Sequence, residues 1–185
     1  ENSLHNSHPE IFVNAREKQL ILDKIEKYDW AETIYSQIKN HVSKDVYEHK
    51  SDPGAILKTI PEFGRDADHD ALQLGLEAGI LYFLTSNADY AQFAADILSH
   101  YCKKLAVKTP ETAEILGSEF SDGRQTYPHI ALIYDFIYGF IKSPATTIYD
   151  LETDSRMPFD NGAAQKALKN MAGNIIQEYG NPDTY

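Results

Sequence analysis

Residues 126–141 read TYPHIALIYDFIYGFI, and Asp135 is the only Asp, Glu, Lys or Arg in the run. The stretch is apolar enough for a buried strand, a buried helix or a membrane span, and length separates the three. The twelve residues from Ile130 to Ile141 fall short of the ~20 consecutive apolar residues that a bilayer-spanning helix needs. They are also too many for a strand, where about 4–8 is usual and helices begin near 10–12. Pro128 suits the first turn of a helix, where its missing N–H costs nothing. The run therefore predicts a helix that is apolar nearly all round, and such a helix needs cover on most sides. Asp135 inside it needs a partner from a neighbouring helix or loop, because a buried charge must be paired.

Working outward, the rest of the chain predicts the cover. Asn14 followed by Glu17 is a capping pair, and it opens a first helix with Leu20, Ile21, Ile25 and Tyr28 on one stripe. Asp29 restarts a second helix with Trp30, Ile34, Ile38 and Val42 spaced by four, closed by the turn cluster SDPG at 51–54. After a loop through Pro61 and Gly64, a third helix runs from about Asp68 to Leu84 and is again apolar on nearly every side. TSNAD breaks it, and an amphipathic fourth helix follows. A polar loop from Lys108 to Gly123 leads into the opening stretch, the fifth helix. Residues 142–161, with Pro144 and Pro158, read as a loop, and an amphipathic sixth helix ends at Gly180. The expected fold class is all-α, in three consecutive αα-hairpins, with no sheet beyond incidental bridges. Two nearly all-apolar helices shielded by amphipathic ones suggest two layers.

Composition narrows the function. Charged residues make up 24% and the formal net charge is −11. That balance argues against nucleic acid, whose phosphates require a basic footprint. No membrane span is expected. Cys102 is the single cysteine, so no internal disulfide can form. Twelve tyrosines serve helix packing or stack on sugar rings or partners.

A resemblance enters with three segments. HPEIFVNAREKQLILDKIEKYDWAETIYSQIKNHV (8–42) resembles the opening of the heparinase II/III-like and alginate-lyase-like polysaccharide lyases, a His-Pro motif before a helix and then a second helix containing Trp-Ala. LGLEAGILYFLTSNADYAQFAADILSHY (74–101) is similar to the same group's apolar helix, turn and following helix. HIALIYDFIY (129–138) resembles its next inner helix. The resemblance covers the chain from His8 to about Tyr179. It implies that 1–185 is the N-terminal portion of an (α/α) toroid, with the group's C-terminal β-sheet domain absent from this chain. It also implies a lyase acting on a uronic-acid polysaccharide, without metal or cofactor, whose catalytic residues lie beyond the matched region. The expected partners are an anionic polysaccharide and the remainder of the toroid with its β-sheet domain. The expected location is secreted or periplasmic. The residues themselves do not select among alginate, ulvan or heparin-like polymers. Truncation would leave apolar faces of the third and fifth helices uncovered.

Elimination from a uronate needs donors that neutralise the carboxylate, a base for the C5 proton and an acid for the leaving oxygen. Two segments offer donors. EFGRDADHD (62–70) opens the third helix and brings Arg65 and His69. Its Asp66, Asp68, His69 and Asp70 alternatively suit a metal, or its acidic residues simply favour the dipole of a helix start. FSDGRQTYPH (120–129) precedes the fifth helix and brings Arg124, Gln125, Tyr127 and His129. Arg124 can hold a carboxylate through two parallel hydrogen bonds, whereas His129 among apolar neighbours also reads as a core histidine. If both segments lie at one end of parallel inner helices, Arg65 and Arg124 share a cleft with Tyr127. Two further classes stay open: a toroid glycoside hydrolase using a carboxylate pair such as Asp66 and Asp122, and a non-catalytic sugar-binding scaffold.

Overall fold

The computed structural model describes residues 8–60, 66–117 and 119–179. Its helices are α1 (Lys18–Lys27), α2 (Asp29–Ser51), α3 (Ala55–Thr59), α4 (Asp66–Thr85), α5 (Ala88–Ala106), α6 (Glu119–Gln125), α7 (Tyr127–Ile141) and α8 (Asn161–Tyr179). The six expected helices are α1, α2, α4, α5, α7 and α8; α1–α2 and α4–α5 pack as hairpins, whereas α8 packs chiefly on α5 rather than on its chain neighbour α7. The class is all-α, as the periodicity implied. Local signals hold at the resolved ends. Asn14 and Glu17 form a reciprocal capping box before α1, Asn87 caps α5 through Asp89 N–H, and Pro128 lies in the first turn of α7. The C-terminal glycine signal at Gly180 falls outside the described residues.

Three elements depart from the expectation. The segments read as loops hold the five-residue α3 and the seven-residue α6, and the 142–161 loop contains a hairpin, β1 (Thr147–Asp150) paired antiparallel with β2 (Ser155–Pro158). Each is too short to show a periodicity. The hairpin turn places Asp154 at φ 48°, a left-handed conformation that Asp tolerates better than most residues.

The core lies between α4, α5 and α7. Tyr101, Phe93, Leu72, Leu81, Ile97, Ile130, Ile133 and Ile137 are among its fully buried side chains. Helices α4 and α7 run side by side in the same direction. Contacts pair His69 with His129 and Tyr82 with Phe140 along their lengths. Glycines permit the approach: a Cβ on Gly75 would meet Ile133 Cδ1 at 3.0 Å, and one on Gly79 would meet Phe136 Cβ at 3.2 Å.

The expected exposure of the third and fifth helices is corrected. Among the described residues, no large exposed hydrophobic side chain belongs to α4 or α7, because α2, α5 and α8 cover them. The exposed apolar side chains of the helical hairpins and α8 are instead Leu20, Tyr28, Trp30, Ile34 and Tyr47 on the first hairpin, with Ile176 on α8. A groove of about 320 Å³ between α1, α2 and α4, lined by Trp30, Ile34, Ile38 and Leu84, continues that surface. No helix among the described residues is long and apolar enough to cross a membrane.

Buried carboxylates pin the outlying segments to this core. Asp135, 2% exposed, accepts from His8 Nδ1 at 2.5 Å and from the backbone N–H groups of Glu10 and Ile11 at 2.9 Å. The charge inside the all-apolar helix thus has its required partner, and it ties the His-Pro segment to α7. Asp96 on α5, 0% exposed, accepts from His49 Nε2 at 2.8 Å, Gln92 Nε2 at 2.8 Å and the Tyr149 N–H at 2.9 Å.

One titratable group of the core carries a pH prediction. Burial holds His100 down from its ordinary 6.5 to about 4, and the Lys104 ammonium pushes the same way, against the pull of Asp68 and Asp150. The unfolded chain therefore takes up this proton first on acidification, so stability falls as pH drops from about 6.5 toward 4. At ~1.4 kcal/mol per unit of pKa difference, the loss at pH 4 is on the order of 2–3 kcal/mol. Urea midpoints across this range should show it, and His100→Gln should flatten the acid limb; an unchanged limb in that variant would refute the assignment.

Candidate functional site

The stripe of α4 between α2 and α7 carries polar residues one helical turn apart. His69, Gln73 and Glu77 follow at spacings of four, which stacks them on one face. Neighbouring helices complete the row. Gln73 Oε1 accepts from His129 Nε2 of α7 at 3.0 Å, and Gln73 Nε2 donates to Glu77 Oε1 at 2.7 Å. Glu77 Oε2 accepts from His41 Nδ1 of α2 at 2.6 Å. The His69 ring packs edge-on against His129 with centroids 5.3 Å apart. Every hydrogen bond in the series points toward Glu77, which can only accept when ionised. That polarity sets the Gln73 amide and both hydrogen-bonded imidazoles in one orientation.

Burial lowers the pKa of His129; the Gln125 carbonyl one turn earlier pulls it up, and His69 pushes it down. A neutral His129 donates one N–H without bringing a fixed charge. Arg124 lies in the last turn of α6, immediately before α7.

The structure sorts the sequence-derived site residues. His69 and His129 come together at the N-terminal ends of α4 and α7, so the two donor segments do meet at one end of parallel helices. Arg124 and Gln125 end α6 immediately before α7, and both are exposed. Arg65 lies outside the described residues. Tyr127 takes another place: it is 3% exposed, and its hydroxyl lies 2.6 Å from the Ala113 carbonyl and 2.8 Å from Asn174 Oδ1. Its ring is enclosed by α8 and the 110–113 segment, so it offers no stacking face to a sugar, and the expected place beside Arg124 in a common cleft is not the one it takes. The reason is amphipathic chemistry: a tyrosine in the first turn of a buried helix hides its ring and satisfies its hydroxyl on the neighbouring chain.

Two of the carboxylates offered for hydrolysis or metal binding, Asp122 and Asp68, are likewise committed, whereas Asp70 is exposed. Asp122 is fully buried and accepts from the N–H groups of Ile115 and Leu116 and from Thr126 Oγ1 at 2.6 Å. Asp68 is fully buried beneath the Tyr101 hydroxyl at 2.8 Å. No group of three or more His, Cys, Asp or Glu among the described residues is placed to hold a metal ion.

Sequence reasoning missed Gln73, Glu77 and His41. The signal for the first two was present, since they are the polar interruptions of an otherwise apolar LQLGLEAGIL, four apart and in step with His69. For His41 there was none, because its partner lies on another helix.

The chain is related to a polysaccharide lyase. That relative is an endo-acting ulvan lyase of Formosa agariphila, 41% identical over 190 residues. The alignment takes in 96% of this chain and 23% of the relative, so the chain spans about a quarter of the curated protein it matches. No protein-family profile matches the chain, and no solved structure matches it.

Proposed function

We propose that this chain is the helical, substrate-binding part of a polysaccharide lyase that cleaves a uronic-acid-containing polymer by β-elimination. The similarity to the Formosa lyase over nearly the whole chain carries the reading. The parallel pair α4 and α7 supports a partial (α/α) toroid of the heparinase II/III-like kind, completed by further helices and a β-sheet domain. Within this assembly, Arg124, Gln125, His69 and His129 hold the substrate carboxylate, which makes the C5 proton easier to remove. The base and the acid come from residues outside the 185. Ulvan, the polymer named for the relative, is the substrate to try first, and a secreted or periplasmic enzyme would meet it.

Replacing the matching segment of the Formosa lyase with this chain tests the proposal. The chimera should release unsaturated uronate from ulvan, seen by its ultraviolet absorbance. A folded chimera that releases none would overturn the reading, and new reducing ends without that absorbance would mean hydrolysis. In the same chimera, Arg124→Ala should raise KM about 10-fold, as expected for a lost charged contact of ~1.5–3 kcal/mol. It should change kcat less, because the chemistry lies elsewhere. An unchanged KM would remove Arg124 from the site.

A further inference from the structure

We propose that His41, held by Glu77, forms a second binding position for an acidic sugar unit, so that an anionic oligosaccharide lies along α4 from the His69–His129 end to His41. The inference rests on the reading of the chain as part of an enzyme for a uronic-acid polymer, and it names residues which that reading does not require.

The argument begins with the dyad. Glu77 sits against His41 Nδ1 at 2.6 Å, and its other oxygen takes the Gln73 amide at 2.7 Å. Because a carboxylate only accepts, Nδ1 carries hydrogen, and Nε2 is the ring nitrogen left to an outside molecule, accepting from a sugar hydroxyl in the neutral ring and donating to a sugar carboxylate in the imidazolium. Exposure agrees: the His41 side chain is 57% exposed and that of Glu77 is 12%. The imidazole is thus presented to solvent while the carboxylate beneath it is turned to its two donors and screened from an approaching anion.

The second observation is continuity. Gln73 joins this dyad to His129 through its carbonyl at 3.0 Å, so the two ends of the row are oriented by one set of hydrogen bonds. From His69 to Glu77 the helix advances eight residues, ~12 Å at 1.5 Å per residue. A short oligosaccharide covers that distance and a single sugar ring does not.

The test is titration calorimetry of the chain with oligoglucuronates from disaccharide to hexasaccharide. The wild-type chain should bind the longer oligomers about tenfold more tightly than the disaccharide. His41→Ala should remove that gain, an approximately tenfold loss confined to the longer ligands. His41→Arg, which places a solvent-facing cationic donor at this position, should recover it. Circular dichroism and urea midpoints identify any variant that has lost its fold, in which case Glu77→Gln, which weakens the hold on Nδ1, takes its place. Equal length dependence in folded wild-type and His41→Ala chains overturns the second position. If the chimera still produces unsaturated uronate, the lyase reading survives that failure; a silent chimera removes the reading itself.

Discussion

Asp96→Ala is expected to destabilise the protein by about 3–5 kcal/mol, because it takes the shared acceptor from three buried donors, at ~1–3 kcal/mol for each one left unpaired. The carboxylate is fully enclosed and receives three donors from three different segments: His49 on α2, Gln92 on α5 itself and the Tyr149 N–H on β1. Removing it strands His49, only 3% exposed, and the β1 N–H in a site that water enters poorly. Each orphaned donor then carries its own desolvation cost. The hairpin should also loosen, because Gln92 spans the same junction by donating to the Thr147 carbonyl at 2.9 Å. Urea unfolding measures the loss, and hydrogen exchange at 147–158 should rise. Asp96→Asn keeps one acceptor oxygen and should lose less. A loss below about 1 kcal/mol for Asp96→Ala would show that water or a rearranged side chain replaces the carboxylate.

Asp135→Ala should cost about 2–4 kcal/mol, for a related reason with a different outcome. Its three donors, His8 Nδ1 and the N–H groups of Glu10 and Ile11, all belong to one short segment. That segment can leave together and regain hydrogen bonds from water, so the cost is bounded by local opening of 8–13 rather than by global collapse. The vacated surface includes Tyr138, against which the His8 ring packs at 4.1 Å. Limited proteolysis should therefore cut the variant first near residues 8–13, with α7 still protected. Equal protection of that segment in wild type and variant would contradict the clamp. The comparison between the two aspartates tests one idea: a buried carboxylate is worth more when its donors cannot depart as a unit.

Much of the architecture was legible in the chain because it is written locally. The length and apolarity of 126–141 made it a helix, the Asn14–Glu17 pair opened the first hairpin, and TSNAD separated α4 from α5. Each of these signals acts within one or two helical turns. The short α3, α6 and β1–β2 pieces were not legible, because four to seven residues cannot display a period and are held by contacts to the core. Asp135 illustrates the boundary. That it required a partner followed from its apolar neighbours, whereas the partner, His8, is 127 residues away.

For the candidate site the division is sharper. The residue types at 69, 124, 125 and 129 announced donors suited to an acidic sugar, and the two all-apolar helices announced that their leading segments would share one end. The sequence could not show which of these side chains remain available. Tyr127 is withdrawn by hydrogen bonds to Ala113 and Asn174, and Asp122 by the backbone of 115–116. Nor could it show that His41 joins the row, since α2, α4 and α7 meet only after folding. Local pattern determines which segments are helical and which carry donors. Long-range packing alone decides which donors are spent on the fold and which stay exposed.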